Sequence, residues 1–136
     1  MHQITVVSLG AGPREQLTLG ALETLEKAKR LILRTGEIDA ATCLRERGLQ
    51  FETLDDLHEQ CEDFDDFIAA AVERVKRAAA RANAVYAVLD ATNDETVAAL
   101  LHAYPDHVRL GAGMPLYAPL LQAAGAQLPA RICSAT

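Results

Sequence analysis

Short uninterrupted apolar runs alternate about five times with segments of helical periodicity, and this alternation constrains the fold more tightly than any other feature. Ile4 to Leu9 is a β-branched run closed by Gly10, which reads as a buried strand. Thr18 is placed to cap a helix along which Leu19, Leu22, Leu25 and Ala28 recur. Arg30 to Leu33 is a second strand. Asp39 can cap a short helix through Arg47 that Gly48 stops, and Phe51 to Leu54 is a third strand. Asp63 opens the clearest helix, whose face Phe64, Phe67, Ile68, Ala71, Val72, Val75 and Ala79 trace to about Arg81. Ala84 to Leu89 is a fourth strand, and Thr92 with Glu95 forms a capping box for a helix that ends at Pro105. Val108 to Leu110 is a fifth strand, and Gly111-Ala112-Gly113 turns it into a helix from about Pro115. Apolar strands of this kind, alternating with amphipathic helices, predict an α/β fold of three layers, α/β/α, around a mostly parallel sheet of about five strands.

The 136 residues make one domain, long enough to bury roughly 68% of the unfolded surface without a disulfide or metal. The net charge of −6 argues against nucleic acid and against an acidic membrane surface as partners. Lys27, Lys29 and Arg30, and further on Arg74, Lys76, Arg77 and Arg81, read as solvated helix faces. No apolar stretch reaches the roughly 20 residues needed to span a bilayer. The start of the chain has no basic, apolar or cleavage region of a signal peptide, so a cytoplasmic location is expected. Cys43, Cys61 and Cys133 are an odd number at long spacings, which fits reduced thiols.

In an open parallel sheet, ligands bind beyond the carboxyl ends of the strands. Three loops rich in small residues fall there: Gly10-Ala11-Gly12-Pro13, Asp90-Ala91-Thr92-Asn93 and Gly111-Ala112-Gly113-Met114. The first is not a dinucleotide fingerprint, since Gln16 and Leu17 stand near the third glycine's place and Pro13 lacks an amide. Other constellations are weaker. His58, Cys61 and Glu62 have no second pair at zinc spacing. The acidic run Glu59, Glu62, Asp63, Asp65 and Asp66 lies where carboxylates favour a helix start. Ser8 and Ser134 lack a nucleophile elbow. Cys43 reads as a small buried hydrophobe. Asp90 reads as a turn-former ahead of the Thr92 cap. No metal site is expected, and no catalytic residue can be assigned.

The segment from Val7 to Leu19, V-S-L-G-A-G-P-R-E-Q-L-T-L, resembles the opening signature V-G-L-G-P-G-D-P-E-L-L-T-L of the tetrapyrrole (corrin/porphyrin) methylases. The likeness continues through Leu33-Arg34-Thr35, Leu44 to Gly48, Phe51 to Leu57 and Glu62 to Asp65. These later stretches resemble the version of the domain fused to MazG-type nucleotide pyrophosphohydrolases. The resemblance implies the amino-terminal α/β half of a two-domain methyltransferase that holds S-adenosylmethionine between its halves. Carried over residue by residue, it places Gly10, Gly12, Asp90, Ala91, Thr92, Gly113 and Met114 along the cofactor. Three departures accompany it. Pro13 stands for Asp, Leu89-Asp90-Ala91-Thr92 replaces a glycine-containing P-G-H-P or S-G-D-P, and Gly111 to Pro115 replaces I-P-G-V-S.

The second domain of the family is absent from these 136 residues. Two functions are therefore in play. One is a methylase-like domain, incomplete and of weak or no activity alone. The other is a non-catalytic regulatory or dimerisation module working with a MazG-type pyrophosphohydrolase. A homodimer, or a missing carboxyl-terminal domain, is the expected partner.

Overall fold

A computed structural model describes residues 1–11 and 13–111. The turn at residues 112–114, the helix expected from Pro115 and the stretch around Cys133 lie outside these residues. Five strands form one sheet in the order β3-β2-β4-β1-β5, every neighbouring pair parallel. They are β1 (Ile4–Ser8), β2 (Arg30–Leu33), β3 (Glu52–Thr53), β4 (Ala84–Val88) and β5 (Val108–Leu110). β4 and β1 lie inside and pair over their full length, from Ile4 beside Ala84 to Ser8 beside Val88. Every residue of β4 is buried, as its unbroken Ala-Val-Tyr-Ala-Val sequence requires of a strand covered on both faces.

Strand side chains alternate between the two faces and build two separate cores. On one face, Ile4, Val6, Tyr86 and Val88 pack against helices α4 (Phe64–Arg81) and α5 (Glu95–Ala103). On the other, Val7, Leu9, Leu33 and Ala87 pack against α1 (Leu19–Glu26) and α2 (Asp39–Glu46). This is the expected three-layer arrangement.

Local signals account for most helix ends. Thr18 accepts a hydrogen bond from the Ala21 amide at 3.0 Å and caps α1. Gly48 takes φ +83° and stops the chain after α2. Asp63 accepts from the Asp66 amide at 2.8 Å and caps α4. Along α4 the buried stripe is Phe67, Ala71, Val75, Ala78 and Ala79, whereas Phe64 in the first turn remains 46% exposed.

Two caps differ from expectation. The residue before α2 is Ile38, which has no side-chain cap; Asp39 is the first helical residue and turns its carboxylate to Arg14. The cap of α5 is Asp94 rather than Thr92. A helix that the periodicity did not announce, α3 (Asp55–Gln60), precedes α4 and ends at Cys61. It is tied to its neighbours by an Asp56–Arg74 ion pair at 3.0 Å and by His58 stacked on Phe67, ring centroids 4.1 Å apart.

Candidate functional site

The carboxyl ends of all five strands point the same way and form a rim. There β1 and β2 send their helices to one face, while β4, between them, sends α5 to the other. Crevices open where neighbouring connections diverge in this way, and in such sheets they hold the ligand.

The loop after β1 is closed by its own side chains. Gly10 is buried with φ +84°, and a Cβ there would lie 2.7 Å from the Cβ of Gln16 and 2.8 Å from its Oε1. Gly10 is thus required by a tight left-handed turn pressed against Gln16. Gln16 Oε1 accepts from the Ala11 amide at 2.7 Å. The three-residue 3-10 turn Arg14–Gln16 follows, and its Arg14 amide donates to Asp39 Oδ2 at 2.9 Å. The Arg14 guanidinium adds bonds of 2.9 Å to Asp39 and 3.0 Å to Glu46, binding the loop to α2. Hydrogen bonding to Arg14 holds the Asp39 carboxyl below its ordinary range.

The loop after β4 is organised from beneath. Ser8 Oγ, at the end of β1, accepts from the buried Ala91 amide at 3.0 Å and joins the two inner strands at the rim. Asp90, 9% exposed, accepts from the Thr92 amide at 3.2 Å and its hydroxyl at 2.7 Å, and from the Asn93 side-chain amide at 2.8 Å. Burial pushes the Asp90 carboxyl up, but these bonds outweigh it, and the group titrates below its ordinary range. Thr92, expected to cap α5, instead serves Asp90.

Asp94 carries the heaviest load. It accepts from the Thr96 and Val97 amides at 2.8 and 3.2 Å and from the Thr96 hydroxyl. Tyr86 then donates to Thr96 Oγ1 at 2.8 Å, since the Thr96 proton is committed to Asp94. The other Asp94 oxygen meets Arg34 Nη1 at 3.2 Å, with side chains 5% and 26% exposed respectively.

Arg34 follows β2 directly, lies over the Phe67 ring at 5.3 Å, and has a buried Nε with no acceptor among the described residues. It lines a cleft of about 70 Å³ with Leu9, Thr35, Ile38, His58 and Leu89. The loop after β2 is fastened where Gly36 donates to Asp55 Oδ2 at 2.9 Å. Burial raises the Asp55 carboxyl, yet bonds from Gly36, Thr35 and Thr53 bring it below its ordinary range.

The structure therefore brings Gly10, Asp90, Ala91 and Thr92 to one rim. Gly12, Gly113 and Met114 lie outside the described residues. Gly111 donates to Val6 O at 2.7 Å, and a Cβ there would meet the Thr5 methyl at 2.5 Å. Sequence reasoning gave no site role to Arg34, Thr35 or Asp94, and weighed His58 only as a metal ligand. Arg34 carried a signal, since a cation directly after a buried strand must stand at the rim. Among the described residues, no three His, Cys, Asp or Glu side chains are grouped to hold a metal ion. No described helix is long and apolar enough to cross a membrane.

A doubly wound parallel sheet with Gly10 and the carboxylates Asp90 and Asp94 along one rim defines the class: an open α/β domain with its loops gathered at the carboxyl ends of the strands. Comparison with known proteins makes the class specific. The model of the family Tetrapyrrole (Corrin/Porphyrin) Methylases matches residues 3–131, and the chain belongs to this family. It is 35% identical over 86 residues to the uncharacterized protein YabN of Bacillus subtilis (strain 168), a match covering 63% of this chain and 18% of YabN. Among solved structures, diphthine synthase superposes with a TM-score of 0.53 at 18% identity, covering 90% of this chain and 49% of that one. The chain thus spans less than a fifth of the one and about half of the other.

The described rim can be tested against the S-adenosylmethionine that the family implies. None of Gly10, Asp90, Ala91 and Thr92 lines the cleft of about 70 Å³, and enclosing pockets for small molecules run to roughly 300–1,000 Å³. The Ala11 amide, the Ser8 hydroxyl and the Asp90 carboxylate are already engaged within the chain. The described residues alone do not enclose a cofactor of that size.

Proposed function

We propose that this domain is the amino-terminal half of a tetrapyrrole methylase-type protein, and that by itself it binds S-adenosylmethionine weakly and transfers no methyl group. The observation that supports this reading is the internal pairing of the rim. In the signature that Val7–Leu19 resembles, the places of Ala11 and Arg14 hold proline, which has no amide proton, and the place of Ser8 holds glycine. Each replacement adds a polar group, and each group is met from within the chain: by Gln16, by Asp39 and by the Ala91 amide. Methyl transfer would rest on orienting the electrophilic methyl against its acceptor, and half a cleft cannot fix that geometry. The buried rim carboxylates Asp90 and Asp94 are both engaged within the chain.

Calorimetric titration with S-adenosylmethionine and S-adenosylhomocysteine tests this. Silence, or saturation only at millimolar ligand, is the expected result; micromolar affinity for the isolated chain would overturn it. A second reading, motivated by the altered loops Leu89 to Thr92 and Gly111 to Pro115, is a non-catalytic regulatory or dimerisation module associated with a MazG-type nucleotide pyrophosphohydrolase. Light scattering separates its dimerising form from the first reading: a concentration-independent monomer removes it.

A further inference from the structure

At the opposite end of the sheet from the rim lies a groove of about 310 Å³, between the carboxyl end of α1 and the edge strand β5. Lys27, Lys29 and Arg109 line it together with Thr5, Thr24 and Asn83, and no acidic residue does. In sequence the two lysines read as part of a solvated helix face. The fold changes this by bringing Arg109 from β5, eighty residues onward, to the other side of the same trough. Arg109 Nε lies 3.4 Å from Thr5 Oγ1, which holds the guanidinium across β1.

Three cations around one concavity add their fields and attract an anion more strongly than any one of them alone. None of the six ion pairs among the described residues includes Lys27, Lys29 or Arg109. Residues 112–136 cannot supply a carboxylate side chain, because they contain no Asp or Glu. The position of Lys27 at the end of α1 answers the helix macrodipole; Lys29 and Arg109 have no such role. The groove reaches the lower size limit of small-molecule sites, roughly 300 Å³. The side chains of Thr5, Thr24 and Asn83 supply neutral hydrogen-bonding groups beside the charges.

We propose that this groove binds a small anion carrying two or more phosphate or carboxylate groups, bridging Lys27 and Lys29 to Arg109. The inference is independent of what the rim binds. It is tested on the full chain by two-dimensional amide NMR. Inorganic pyrophosphate and, separately, citrate are titrated at about 0.15 M salt, where screening over roughly 8 Å removes diffuse attraction. Saturable shifts centred on Thr5, Thr24, Lys29 and Asn83 are expected. Response to pyrophosphate alone assigns phosphate, and response to citrate alone or to both admits carboxylate. The double variant Lys29→Ala/Arg109→Ala alters two exposed side chains, and its fold is checked by circular dichroism. It should weaken binding at least about tenfold, equivalent to about 1.4 kcal/mol. Shifts that do not saturate, that persist unchanged in the double variant, or that centre on the rim would each overturn the proposal.

Discussion

The two rim loops flanking the β1–β4 seam look alike in sequence, both short and rich in small or polar residues, yet they are built on opposite plans. The loop after β1 is exposed over most of its length and is fastened at the surface, by its own Gln16 and by Asp39 and Glu46 of α2. The loop after β4 is largely sunk into the domain, with Asp90, Ala91 and Asp94 buried and its bonds made by its own carboxylates. A staple on the surface competes with water and contributes little net stability, whereas a buried carboxylate that loses its partners leaves desolvated groups behind. Similar composition therefore conceals unequal energetic weight.

The sharpest way to break this contrast is Asp94→Ala. It removes the α5 cap and strands Arg34, and should lower unfolding free energy in urea by about 3 kcal/mol. Asp94→Asn, which keeps a capping oxygen, should recover about 1 kcal/mol. Next is Gly10→Ala, which forces a Cβ into left-handed φ and onto Gln16. A loss of about 2 kcal/mol is expected; in a Gln16→Gly background, where the colliding Gln16 Cβ is gone, adding Gly10→Ala should cost only the roughly 1 kcal/mol of backbone strain.

Asp90→Asn should cost about 1 kcal/mol near neutral pH. The folded Asp90 carboxyl titrates below its unfolded value of about 3.9, so its stabilisation is complete above that value and is lost as pH falls through the folded one. The Asn variant should accordingly show a flatter acid limb in stability measured against pH. The smallest effect belongs to Arg14→Ala. Global stability should stay within the scatter of surface substitutions, while amide exchange at Ala11 and Arg14 quickens. An equal global loss for Arg14→Ala and Asp94→Ala would erase the contrast.

Period and turn chemistry made most of the fold legible. The apolar runs at Arg30–Leu33 and Val108–Leu110 and the helix capped by Asp63 are local signals, and local signals survive folding. The failures share a cause. Thr92 with Glu95 satisfies the capping pattern, but Asp94 takes the position because Arg34, sixty residues earlier, pairs with its second oxygen. Asp39 likewise has a suitable cap chemistry, but Arg14 draws its carboxylate away. Helix α3 is short and holds one buried residue, Leu57, too few for periodicity to register. Gly10 and Asp90 could be placed from their strands. The bonds of Gln16 to the Ala11 amide and of Ser8 to the Ala91 amide could not, because both depend on loop geometry that spacing does not encode.

The sheet ends on one flank in a two-residue strand, β3, and on the other in a three-residue strand, β5, among the described residues. Long bare margins of backbone invite a stranger to add itself to a sheet, and proteins commonly guard against it by keeping such margins brief. Here Glu52 and Arg109 add a charge to each margin. A domain whose interior strands are so uniformly oily is thereby discouraged from polymerising edge to edge.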